Sequence, residues 1–169
     1  MKFIGAILII LGSSCFGFLV AQQIALRPKQ LQQLKTAVEM LKTEIEYGVT
    51  PLPEAFTKIA QNSAYPIEEI FIRAQKNLEA GVIAEKAWQN GVSEVIDKTA
   101  LTAEDERILL EIGYNLGNSS SLDQIRHLNL AQEQINNCYQ EAIDNKQQKV
   151  KLWRYLGVLT GLLIVIIIV

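Results

Sequence analysis

The hydrophobic positions of this chain fall into three regimes. From Phe3 to Leu26 the residues are apolar, with no charge between Lys2 and Arg27. Between about residues 27 and 151, apolar residues recur every three or four positions among polar ones. From Leu152 the chain returns to hydrocarbon, "LWRYLGVLTGLLIVIIIV". No segment alternates with the two-residue period of a half-buried strand, so the middle regime predicts helices alone.

Six helices are expected there. In "RPKQLQQLKTAVEMLKTEIEYG", Leu31, Leu34, Val38, Leu41 and Ile45 share one stripe. Pro28 suits the first turn of that helix and Gly48 its end. In "VTPLPEAFTKIAQN", Thr50 is positioned to cap and Pro51 to open, with Leu52, Ala55, Phe56 and Ile59 facing inward. The third helix starts near Tyr65-Pro66 and uses Ile67, Ile70, Phe71 and Leu78. The fourth, "AEKAWQNGVSEVI", presents Ala87, Trp88, Val92 and Val95, with Gly91 weakening it by about 1 kcal/mol relative to alanine.

The fifth, "LTAEDERILLEIGYNLG", has the clearest start. Thr102 and Asp105 have nearly the spacing of a capping box, and acids fill the first turn. Ile108, Leu109, Ile112 and Leu116 form its apolar side, and Gly117 stops it. The sixth opens at "NSSSLDQIRHLNL" and meets no Pro or Gly before Gly157. Its stripe is Leu122, Ile125, Leu128, Ile135, Cys138 and Ala142, continuing as helix into the final apolar run. The first and sixth helices are expected to lie antiparallel as a stem, with the four shorter ones packed against it.

Both apolar ends read as membrane helices. About 20 apolar residues span a bilayer core, which residues 3–26 supply. A cleaved secretory signal is the rival, but the run resumes as "FGFLVA" where a cleaved signal turns polar. Leu11 is one residue too far from Cys15 for a lipoprotein signal. Residues 152–169 would run about 27 Å at 1.5 Å per residue, just enough to cross. Trp153 and Tyr155 form an aromatic belt beside Lys149, Lys151 and Arg154. Gly157 and Gly161 are spaced for close helix approach, as are Ser13, Gly17 and Ala21. Arg27, Lys29, Lys35, Lys146 and their neighbours flank the middle region, which places residues 27–151 on the cytoplasmic side; Lys2 is a mild counterweight.

Composition narrows the function. A net charge of -2 over 169 residues offers no basic field for nucleic acid. The two cysteines make no disulfide framework. His127 is the single histidine and has no cysteine or carboxylate at ligand spacing, so a packing or surface role is expected. No glycine-rich loop is followed by lysine, and Cys138 has no neighbouring base. The acidic clusters Glu44 and Glu46, Glu68 and Glu69, and Glu104 to Glu106 read as solvated faces or helix starts. No enzyme, cofactor, metal or small-molecule substrate is expected.

The segments "EIEYGVTPLPEAFTKIA", "AEKAW", "LGNSSSLDQIRHLNLA" and "WRYLGVLTGLLIVIII" resemble, in that order, the stage III sporulation protein AB family. That family is similar to a cut-down inner-membrane platform protein F of type II secretion systems, whose cytoplasmic helical domains carry a related turn-and-helix, "YGVTPLPEAF" here. The secretion relative has two such domains and more spans, so its contacts do not transfer. The resemblance implies an all-α bundle and a non-enzymatic scaffold in a channel or secretion-like complex between mother cell and forespore. It further implies a seat in the outer forespore membrane and partnership with the complex's other proteins, including its cytoplasmic ATPase, protein AA.

The expected docking face comprises the turn Gly48–Ala55, with Gly48, Pro51, Leu52, Pro53, Glu54 and nearby Lys58, and the start of the sixth helix, Ser119–His127. Gly48, Leu52 and Ala55 could equally serve to shape and fill the bundle. Two other readings stay open at this point. One is an exported or lipid-anchored helical interaction domain with a cleaved leader. The other is a pore subunit, for which two wholly apolar spans offer no polar lining.

Overall fold

The structure is a computed structural model that describes the backbone of residues 2–47, 50–117 and 120–168. It describes the side chains of residues 24–47, 50–117 and 120–146, with those of 12, 15, 19–22, 152 and 155. The elements are α1 (Lys2–Tyr47), α2 (Leu52–Gln61), α3 (Ile67–Glu79), α4 (Ala84–Val95), a 3-10 turn (Ile96–Lys98), α5 (Ala103–Asn115) and α6 (Ser121–Ile168). The expected all-helical class is met, with no strand among the described residues. Two compact units result, residues 29–140 and residues 1–28 with 141–169.

The first helix differs from expectation at its start. Pro28 lies inside α1 rather than in its first turn, and is buried. A proline mid-helix forfeits one backbone hydrogen bond. The long apolar run before it nevertheless supplies helix-forming residues, and the buried Leu31 and Leu34 secure the turns after it. The sixth helix does run unbroken from the polar region into the apolar end, as its lack of Pro and Gly predicts.

Among the described residues, no helix is long and apolar enough to cross a membrane. Most side chains of the expected spans 3–26 and 152–169 lie outside the described residues. Ser13, Gly17, Gly157 and Gly161 are among those outside, whereas Ala21 is buried at 1% exposure.

Within residues 29–140, α2 packs on α3, α3 on α4 and α4 on α5. Their shared centre is aromatic. Phe71 and Trp88 meet with ring centroids 5.2 Å apart, Phe56 and Trp88 at 5.6 Å, and Phe56 and Phe71 edge-on at 5.8 Å. All three are fully buried, and each contributes on the order of 1.5–3 kcal/mol through area alone. The indole Nε1 of Trp88 donates to the carbonyl oxygen of Leu109 at 2.6 Å, so the ring's one polar group is satisfied inside the core.

The antiparallel pairing of α1 and α6 is legible in two bonds. Lys35 Nζ donates to Asn136 Oδ1 at 2.7 Å, and Gln132 Nε2 donates to Glu39 Oε2. Moving four residues forward on α1 moves the partner four residues back on α6. Each step is about one helical turn, which keeps both pairs on one seam. Leu31, Leu34, Val38 and Leu41 of α1 and Leu128, Ile135 and Cys138 of α6 are buried within the unit. Gln30, only 6% exposed, accepts from Ala100 N at 2.7 Å and ties α1 to the connection before α5.

Three local expectations are corrected. Thr50 does not cap α2; Pro51 holds the N-cap position without a side-chain bond. Thr50 Oγ1 instead accepts from Lys58 Nζ. Leu52 is half-buried rather than core. Leu122 is 80% exposed, because the first turn of α6 precedes the buried stripe. That turn is held by its cap: Asp123 N donates to Ser120 Oγ, which donates to Asp123 Oδ2 at 2.7 Å.

Candidate functional site

The expected docking residues separate into two groups. The first surrounds the start of α2. Gly48 lies outside the described residues; Pro51 and Glu54 are exposed, and Pro53 is half-buried. Pro53 contributes its carbonyl to Thr57 Oγ1 at 3.0 Å. Lys58, one turn on, reaches back to both carboxylate oxygens of Glu44 at 3.2 and 3.3 Å. Glu44 is held below the usual carboxylate range by hydrogen bonding with Thr50, then by Lys58. The bond that ties α2 to α1 therefore runs through Lys58. Its charge is not a bare docking point but half of a pair. Ala55, read either as docking or as filler, is buried at 1% and fills.

The second group surrounds His127. This side chain is exposed and lines a cleft between α5 and α6 of about 190 Å³. Ile112 and Ala131 form buried parts of its lining, at 3% and 5% exposure. Tyr114 at 59% and Leu130 at 50% stand beside them, with Glu111, Asn115 and Gln134 adding polar groups. Sequence reasoning found His127 but missed Tyr114 and Leu130. Their signal was present: each stands two residues from a core position, Ile112 and Leu128, on the face of its helix that the core does not use.

His127 has no hydrogen-bonded carboxylate or thiol among the described contacts, and no cluster of three or more metal-ligating side chains occurs among the described residues. Neither cysteine forms a disulfide among the described residues; Cys15 is exposed and Cys138 buried. The charge is unevenly divided. Residues 29–140 hold ten Lys and Arg against sixteen Asp and Glu, so this unit carries net charge -6 while the chain as a whole carries -2.

Comparison with known proteins places the chain. The sequence model of stage III sporulation protein AB matches residues 2–169. The chain belongs to the stage III sporulation protein AB family. The Bacillus subtilis (strain 168) protein of that name is 30% identical over 169 residues, covering 99% of each chain. A solved structure of stage III sporulation protein AB superposes with a TM-score of 0.70 at 30% identity, over 72% of this chain and 97% of that one. The family resemblance read from the sequence is thereby established along the full length. The family's name records a stage of sporulation and names no reaction.

Proposed function

We propose that this member of the stage III sporulation protein AB family is a non-enzymatic scaffold in a sporulation-specific channel or secretion-like complex between mother cell and forespore. Its helical bundle, similar in plan to the platform protein F domain, lies on the cytoplasmic side of the outer forespore membrane. Apolar helices at residues 3–26 and 152–169 hold it there in lipid, and the cytoplasmic ATPase, protein AA, docks on it with other proteins of the complex. The observation that carries this reading is the antiparallel seam of α1 and α6, fixed by Lys35 with Asn136 and Glu39 with Gln132. Both helices continue without a break into the two apolar ends of the chain. A pair of helices locked in register sets the height and rotation of whatever they carry. A platform needs that; a diffusing enzyme does not.

The docking face for the ATPase is the start of α2, where Glu54 is exposed in the first turn and Lys58 is 52% exposed. Two measurements test the reading. Thiol labelling of Asn62→Cys in intact cells, in a Cys15→Ser and Cys138→Ser background, should fail with a membrane-impermeant reagent and succeed after lysis. Labelling from outside would remove the orientation and the platform with it. Reversing Glu54 and Lys58 together should weaken recruitment of the ATPase and lower sporulation. Unchanged recruitment in a folded variant would eliminate this face as the docking site.

A further inference from the structure

We infer that the cleft between α5 and α6 is the seat for a single arginine side chain presented by a partner protein. The inference rests on the reading of the chain as a scaffold, but concerns a different surface from the start of α2.

Size excludes the larger alternatives. Sites for cofactors and metabolites usually enclose about 300–1,000 Å³. This cleft offers about 190 Å³, room for one long side chain. A partner anchored by one buried residue is the usual economy of protein interfaces, with a few centrally packed side chains carrying most of the affinity.

The lining selects which side chain. Ile112 and Ala131 give an apolar surface on which a methylene stem can lie, and Leu130 stands half-exposed beside it. Tyr114 is 59% exposed and brings an aromatic ring, a group suited to a flat cation. Glu111 supplies the matching carboxylate and is half-exposed. Its neighbourhood already attracts a guanidinium: Arg107 lies between Glu104 at 2.7 Å and Oε1 of Glu111. His127, Asn115 and Gln134 complete the lining and bring hydrogen-bonding atoms without a second carboxylate. Two carboxylates, Glu104 and Glu111, share the single cation Arg107, so the cluster keeps a net negative charge that an aliphatic anchor would leave uncompensated at a closed interface. An acidic one would face the Glu111 carboxylate within a unit of net charge -6. Arginine satisfies stem, ring and carboxylate together, which the compact ammonium of lysine does less well.

Because His127 is the chain's single histidine, one imidazole resonance reports on the cleft. The full-length chain, labelled with carbon-13 at histidine, would be titrated with an alanine/glutamine helical peptide bearing one central arginine. Matched peptides would carry lysine or norleucine there. The expected result is a saturable shift of the His127 signal, with binding about three- to fivefold tighter for arginine than for norleucine and lysine in between. Tyr114→Ala should abolish the preference and Glu111→Gln should reduce it, whereas Tyr65→Ala, an exposed tyrosine before α3, should leave it intact. Absence of a saturable shift would overturn the assignment. So would equal binding of the norleucine peptide, or a shift that follows chain concentration without peptide and so marks a second copy as the occupant. None of these readings depends on ATPase recruitment, so the cleft can fail while the scaffold stands, and the reverse.

Discussion

A Cβ atom added to Gly91 would lie 2.7 Å from the carbonyl oxygen of Ile70, with Ala74 N at 3.0 Å and Ala74 Cβ at 3.2 Å. Helices α3 and α4 therefore approach most closely where α4 has no side chain. The first two obstacles are backbone atoms, which cannot rotate away. Read as local propensity, Gly91→Ala should strengthen α4 by about 1 kcal/mol. Read against Ile70 it should do the opposite. The expected net loss is about 1–3 kcal/mol, the usual cost of overpacking, seen as a lower denaturant midpoint in circular dichroism of the full-length chain. A stabilised variant would mean the helices separate freely.

Trp88 joins three elements, meeting Phe56 of α2 at a tilt and Phe71 of α3 edge-on and bonding to Leu109 of α5. Gly113 makes room for it, since a Cβ there would meet Trp88 Cδ1 at 2.8 Å. Trp88→Phe keeps most of the apolar contact and removes the indole donor. It should cost about 1–3 kcal/mol in denaturant unfolding while leaving helical content unchanged.

The capping box at α5 invites a graded test. Thr102 Oγ1 accepts from Asp105 N at 3.4 Å, and Asp105 Oδ2 accepts from Thr102 N at 2.8 Å. Asp105 is only 2% exposed, so its carboxylate depends on these and its other contacts for solvation. Thr102→Ala should cost about 1 kcal/mol, and Thr102→Ser much less because the hydroxyl survives. Equal losses for both would assign the effect to the methyl group instead.

The parts of the fold that were legible in sequence are those with a local cause. The cap at Thr102 needs only the residues Thr102 to Asp105, and the buried stripe Ile108, Leu109 and Ile112 needs only its period. The parts that were not legible depend on a neighbour. Pro28 and Gly91 both look like helix breakers in isolation, and both sit inside helices whose packing overrides them. Leu122 looks like core by spacing, yet α6 begins one turn before anything covers it. Lys58 reads as a free surface cation because Glu44 is fourteen residues away in sequence and adjacent only after the turn. The α5–α6 cleft is hidden for the same reason: neither Tyr114 nor Leu130 marks a recess until the two helices lie together.

Acid should expose the bundle's ionic ties. Glu69 accepts from Lys98 at 3.1 Å through both oxygens and from Arg73 at 3.0 Å, while Arg73 also reaches Glu94 at 3.4 Å. Hydrogen bonding from Lys98 and then Arg73 holds the Glu69 carboxyl below its ordinary value of 4.5. A carboxylate lowered in the folded state contributes stability above its unfolded value and loses it as pH falls through the folded one. Glu39, lowered chiefly by Lys42 and Gln132 on the α1–α6 seam, has the same sign. The denaturant midpoint should therefore stay level from neutral pH to about pH 5 and decline below the ordinary carboxylate range. Glu69→Gln should start lower at neutral pH and decline less in acid, because it has no proton to take up. These pairs are partly exposed, so added salt should shrink the gap between variant and wild type at neutral pH. Parallel acid curves for the two proteins would show that Glu69 contributes nothing to the linkage.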